Sequence, residues 1–370
     1  MTVVDGPARR SDLIRLHAII LVWGFTAVLG RWITLPAIEI VLVRCSMAAA
    51  ALAIWLTVIG RRSGSATRSH QSTLLVRMQW WAIGSIIAAH WVTFFASIKL
   101  AGVSPAMIGL ATLSLWTAFL EPMLVSGRRY HREQFAFAAV IFGAVVLIYG
   151  GQGPQSATGF LVAIVSAFLA AIFSVLNARY TPHYDAKFIT MHQMAGAAAT
   201  AAVLCGTAEV TSNHAGWLIE PGQRLQLPSG SQWLALSALS LICTVYAYVE
   251  FVELLSRLKV FTVIFVNNLE PVYGIALAAL FFGEHEQLTS RFFVGAAVIL
   301  LAVMMQTYVA IRRRSAGARS KGDRSKGGRS KGDRSKGGRS GLLASGESGC
   351  QTGLTSIEGI PSTAKSTVRR

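Results

Sequence analysis

Charge is what this sequence has least of. Asp, Glu, Lys and Arg make up 14% of its 370 residues, against about 25% in soluble domains. Apolar residues reach 53% and mean hydropathy is +0.51. A soluble domain could not hide that much apolar surface from water. Acidic residues are scarcer still, 17 against 34 Lys and Arg. The resulting net charge of +17 suits a nucleic-acid binder, but its placement argues against that class. Fifteen of the basic residues follow residue 311, and most others sit in short segments between apolar runs. No nucleic-acid partner is expected.

Motifs of soluble chemistry are missing too. There is no G-x-G-x-x-G and no Walker A loop. The four cysteines, Cys45, Cys205, Cys243 and Cys350, show no CxxC or Cys/His spacing, so neither a disulfide framework nor a metal site is expected. Free thiols acting as small apolar fillers fit better. His285-Glu286 starts an HExxH-like string, but Thr289 stands where the second His is needed. No cofactor, metal or catalytic residue is expected, and the chain reads as a non-enzyme.

What is present is a series of long apolar runs. A transmembrane helix needs about 20 such residues. Candidate spans fall at 13–34, 36–59, 79–98, 103–125, 134–151, 157–178, 187–207, 232–254, 260–282 and 290–311. Arg9 and Arg10 before an apolar stretch resemble a signal peptide. The run continues past residue 30 with no A-x-A site before Arg31, so an uncleaved first helix is expected. With the N-terminus inside, the inner segments carry fourteen Lys or Arg: Arg9, Arg10, Arg15, Arg61, Arg62, Arg68, Arg77, Arg128, Arg129, Arg132, Arg179, Lys187, Arg257 and Lys259. The outer segments carry four: Arg31, Lys99, Arg224 and Arg291. This bias predicts a bacterial-type inner membrane protein with both termini cytoplasmic.

Residues 103–150 and 260–305 repeat one pattern: a helix, a short charged turn and a Gly/Ala/Val-rich helix. Five helices per copy would give the copies opposite orientation. The basic turn (Arg128, Arg129, Arg132) then lies inside and the acidic turn (Glu284, Glu286) outside. Inverted repeats characterise secondary transporters. Aligned from their loops, the two Leu-Glu-Pro triplets sit at different depths, with Glu270 near Leu113 and Glu121 near Ala278. The predicted fold is an all-α integral membrane protein of ten transmembrane helices in two inverted five-helix repeats, 13–151 and 157–311. The tail, 312–370, carries an RSKGD/RSKGG repeat with no apolar face to bury and is expected to be disordered. Adhesion to anionic headgroups and a dispensable repeat expansion are both open readings of it.

WGFTAVLGRW in the first span, the single Arg44 in the second, LEPML before a basic turn, and NLEPVYGIALAALFFGE in the ninth resemble the EamA family of the drug/metabolite transporter superfamily. The resemblance covers about 13–311. It implies a 5+5 inverted-repeat carrier with a central cavity, often an exporter of amino acids or other metabolites. The tail departs from the family pattern, and the substrate does not carry over.

Ionisable groups at membrane depth are costly, so each needs a reason. Glu270 lies ten residues into the ninth span, about 15 Å deep in a core of about 30 Å. Asn267, Glu270, Pro271 and Gly274 share one face, flanked by Asn268, and Pro271 deprives the Asn267 carbonyl of its helix partner. A carboxyl there is suited to carry protons, because charging it away from water is costly. A structural carboxyl bonded to a neighbouring helix is the other reading. Arg44, the only basic residue away from the ends of a span, has three: pairing with Glu270, anion binding, or structure. Tyr246, Glu250, Glu253 and Arg257 line one face of the eighth span. Glu253 reads as an interfacial ion pair and Glu250 as a deeper gate or proton site. Glu121 is similar, with Ser114 and Thr117 on its face. His90, with Thr93, is a ligand or a satisfied core residue, as are His192 and Gln193. Trp23, beside Gly24, and Trp116 line a cavity or serve packing.

The leading expectation is therefore a secondary carrier of a small molecule, working by alternating access without ATP, with proton coupling open. Neutral, zwitterionic or cationic cargo fits the lone Arg44. A membrane enzyme on lipid-linked substrates would need clustered His, Asp or Glu, and a non-transporting scaffold would act through its basic tail. In a cysteine-free background, a cysteine placed within 151–156 is expected to react with a membrane-impermeant maleimide in intact cells. One placed within 316–340 should react only after permeabilisation. Labelling of both from outside would overturn the orientation.

Overall fold

An apolar run in lipid must close its backbone hydrogen bonds within itself, which makes the helix its default. The computed structural model describes residues 10–59, 72–124, 130, 132–151, 153–177, 184–210, 228–257, 266–267, 269–306, 308–309 and 312, and no strand occurs among them. The chain divides after Arg314. Ser315–Arg370 lies outside the described residues, and the expected disordered tail with it.

The helices are α1 (Arg10–Trp32), α2 (Ala37–Ile54, ending in a π turn, Trp55–Ile59), α3 (Leu74–Ala101), α4 (Val103–Leu110), α5 (Leu113–Leu124), α6 (Arg132–Tyr149), α7 (Pro154–Asn177) and α8 (Ala186–Val210). Then follow α9 (Gly230–Ser237), a π segment (Ala238–Tyr246), α10 (Ala247–Arg257), α11 (Glu270–Phe282) and α12 (Ser290–Gln306). Seven stretches are long and apolar enough to cross a membrane, with α4–α5 and α9–α10 each counting as one; Phe135–Tyr149, Glu270–Phe282 and Ser290–Gln306 are shorter apolar helices. Seven of the ten predicted spans thus hold a helix long enough to cross, and the other three hold shorter apolar helices among the described residues. The predicted start at 79 misses the first turns of α3, where Arg77 and Gln79 interrupt the apolar run. Thr73 caps that earlier start by accepting the Val76 N–H at 3.4 Å. Pro36, with ψ 149, sets the turn into α2, and Asp185 accepts the Lys187 N–H at 2.9 Å to cap α8.

Helix α3 is the hub. It is buried from Trp80 to Ile98 along one face and packs extensively on α7 and α8, while α2 packs on α8. Helix α1 lies on α11, and α4 touches both α7 and α11. Helices α6 and α12 share a separate cluster around Ile141, Ala144, Ile148, Phe292, Ala296 and Ile299. Between α3 and α8 the backbones nearly touch. A Cβ on Gly84 would lie 2.2 Å from the Gln193 carbonyl, and one on Gly196 2.6 Å from that of Trp81. Small residues allow this approach, which drives helix association where lipid removes the hydrophobic term. Thr200 adds a bond to Ser85 across the crossing at 2.8 Å. Gly84→Val should therefore force the helices apart and cost about 1–3 kcal/mol, read as a lower thermal midpoint in detergent. An unchanged midpoint would refute the close crossing.

Candidate functional site

Two helix interruptions face each other. The first separates α4 from α5. Thr112 turns both its N–H (3.2 Å) and its hydroxyl (2.7 Å) onto the Gly109 carbonyl, and the helix resumes when the Trp116 N–H reaches the Thr112 carbonyl at 3.1 Å. The second precedes α11. The Leu269 N–H closes a tight turn onto Val266 at 2.9 Å, then Glu270 and Pro271 open the helix. Proline fits that first turn because its missing N–H would have no partner there. Leu110, Ala111, Leu113, Asn267, Glu270 and Pro271 line a narrow cleft of about 10 Å³ between the interruptions, about the room one water needs. The Asn267 Oδ1 is buried without a hydrogen-bond partner. Irregular backbone at membrane depth is tolerated where it lines a cavity or is buried in protein.

Three predicted residues, Glu270, Asn267 and Pro271, thus come together, while Asn268 lies outside the described residues. Glu121 lies half-buried further along α5, and Trp116 packs edge-on against Phe168 at 5.2 Å. Neither lines the cleft. Ser114 Oγ and the Trp116 indole nitrogen are buried without partners just past the first interruption.

A second group assembles on the π segment. Arg44 Nε donates to Thr244 Oγ1 at 2.6 Å, and its guanidinium lies 3.8 Å from the centre of the Trp91 ring. The Trp23 indole donates to the adjacent Cys243 carbonyl at 3.2 Å, with its ring against Phe251 at 4.8 Å. The Thr244 hydroxyl reaches the Leu239 carbonyl five residues back at 2.9 Å, the spacing a π turn offers. Arg44 does not pair with Glu270: the open possibility of that ion pair is answered by Thr244 instead.

Other predicted residues have structural partners. His90 Nδ1 lies 3.0 Å from the Ser166 carbonyl and 2.8 Å from its hydroxyl, which itself donates to the His90 carbonyl at 2.9 Å. This locks α3 to α7. Glu250 stands 3.8 Å from Arg15 in a partly exposed pair, and Tyr246 is exposed. Gln193 belongs to a closed ring. Asn177 donates to the Tyr248 hydroxyl at 2.7 Å, Tyr248 to Gln193 Oε1 at 3.1 Å, and Gln193 Nε2 back to Asn177 Oδ1. Among the described residues, Cys45, Cys205 and Cys243 are buried and form no disulfide.

Asp12, Glu39 and Glu284 are buried acids that the sequence did not single out as site residues. Glu39 in α2 has an unpartnered carboxylate oxygen. Glu284, read only as part of an acidic turn, is buried and accepts the N–H groups of Val103 and Ser104, each at 2.8 Å. Helix α4 needs this outside acceptor. Its N-cap, Gly102 (φ +88), has no side chain, and Pro105 carries no N–H, which leaves two leading donors for two carboxylate oxygens. A capless helix start was the signal available in sequence.

Residues 157–308 match the EamA-like transporter family. A protein of Escherichia coli (strain K12) named "Probable amino-acid metabolite efflux pump" is 29% identical over 220 residues, 56% of this chain and 70% of that protein. A crystal structure 19% identical in sequence superposes with a TM-score of 0.55 over 82% of this chain and 99% of its own, which is a likeness of fold. Glu284→Ala should cost roughly 2–3 kcal/mol, because two buried donors lose a charged acceptor. Glu284→Gln should recover little, since its NH₂ would face a second donor. Thermal unfolding in detergent reads both, and equal midpoints for all three proteins would dismiss the cap.

Proposed function

We propose that this chain, whose residues 157–308 match the EamA-like transporter family, is a secondary exporter of amino acids or similar small metabolites. It works by alternating access in a bacterial-type inner membrane, with both termini cytoplasmic. The observation that carries the reading is the cleft between two facing helix interruptions, with Glu270 and the unpartnered Asn267 oxygen in its wall. A carboxylate and an amide oxygen are both acceptors, so the cleft suits a proton or the ammonium end of a solute. Glu270 is the proton carrier in this scheme, and Asn267 and Pro271 shape the site. The name of the Escherichia coli relative points to the same cargo.

The helix pairing supports two inverted halves, 13–151 and 157–311. Exchanging α1 with α7, α2 with α8, α3 with α9–α10, α4–α5 with α11 and α6 with α12 maps the larger packing pairs onto one another. The contact of α1 with α11 becomes that of α7 with α4–α5, and α2 with α8 maps onto itself. The related contacts are unequal, however. Helix α3 packs far more extensively on α7 and α8 than α9–α10 does on α1 and α2. Inverted halves in unequal arrangements are what alternating access requires, since swapping the two arrangements moves the opening across the membrane.

Inside-out vesicles containing the full chain and supplied with a mixture of amino acids should accumulate solute when a pH gradient, acid inside, is imposed. Glu270→Gln should reduce that accumulation to the level seen without a gradient. A variant that still responds to the gradient as the parent does would remove the proton role. Parent vesicles that accumulate nothing would remove the amino-acid exporter.

A further inference from the structure

Arg44 is 2% exposed, lies within a span, and stays charged in any protein setting. No Asp or Glu among the described residues stands within ion-pairing distance of it. Glu39, five residues earlier on the same helix, does not reach it. What holds the guanidinium is neutral: the Thr244 hydroxyl at 2.6 Å, the Trp91 face at 3.8 Å and the Phe95 ring at 5.8 Å. Its Nη1 is buried and has no partner. The other half offers a control. Arg44 lies seven residues past Ala37, the first residue of α2, and Gln193 seven past Ala186, the first of α8. Gln193 is fully met by Asn177 and Tyr248. Arg44 at the matching position is not, so its unmet edge is particular to this residue.

A buried cation without a counter-charge is expensive to keep, and replacing it by an apolar side chain would relieve that cost. We infer that Arg44 reads a carboxylate: its Nη1 edge, aimed by Thr244 and Trp91, binds the carboxylate of the transported solute when the π segment of α9–α10 swings away. The inference rests on the carrier reading above and narrows its cargo to acids and zwitterions. Access comes through the π segment for two reasons. That segment carries Thr244, the group in contact with the guanidinium, and it belongs to the helix whose packing on α1 and α2 is the lighter of the two related contacts. The planar fork of arginine matches a carboxylate in two parallel bonds, which lysine cannot imitate.

Proteoliposomes of the full chain, loaded with an equimolar mixture of the proteinogenic amino acids or of their α-carboxamides, test this by mass spectrometry of the released solutes. The parent should favour acids over amides by roughly ten- to hundredfold, the range of a charge-assisted bond. Arg44→Gln should release the two sets alike, and Arg44→Lys should keep part of the preference. Should Arg44→Gln fail to fold, Thr244→Val, which removes only the aiming hydroxyl, must lower the ratio. A parent that releases neither set would take the carrier reading down and this inference with it. A parent that releases both sets equally would leave the carrier standing and remove the role of Arg44. So would an Arg44→Gln protein that keeps the preference or loses both fluxes in proportion, or a Thr244→Val protein with an unchanged ratio.

Discussion

Hydrocarbon offers a polypeptide no hydrogen-bond partner, and this constraint organises the chain. Every N–H and C=O at membrane depth must be met from within the protein. That demand turns the apolar runs into helices, and it governs how those helices start and where they are allowed to break. Helix α4 begins beside a glycine and a proline that supply no cap, and the carboxylate of Glu284 comes from a distant segment to supply one. The interruptions at 111–112 and just before Glu270 are each closed by a tight local turn, and both border the cleft.

The same demand separates two kinds of buried polar side chain. His90 with Ser166, and Asn177 with Gln193 and Tyr248, are mutually satisfied and join helices. Networks of this kind fix packing and leave no capacity over for a ligand. Asn267 and Arg44 each keep an atom without a partner, one an acceptor and one a donor. Both sit against irregular stretches, the cleft and the π segment.

Rigidity is distributed unevenly in a way that suits such a division. The crossing of α3 with α8 leaves no room for a Cβ at Gly84 or Gly196 and is bonded through Thr200 and Ser85. Helix α9–α10 is held to α1 and α2 by the Trp23 indole, the Arg44 guanidinium and a 3.7 Å approach of Ser240 to Met47, over a less extensive packing contact. A π segment, with its longer hydrogen-bond period, gives that helix a ready place to bend.

Sequence by itself determined the class of this protein, because hydropathy over about 20 residues is set by composition alone and the lipid core has one thickness. It also located Glu270, Asn267 and Pro271 together, since spacing on a single helix follows from its period. Only the tertiary structure decided what crosses between helices. Thr244 rather than Glu270 as the partner of Arg44, Ser166 as the answer to His90, and Glu284 as the cap of a helix some 180 residues earlier in the chain all depend on rotation and depth of separate helices. No local pattern encodes those. They are set by which small residues let two backbones approach, and by the requirement that each buried donor find an acceptor wherever one is available.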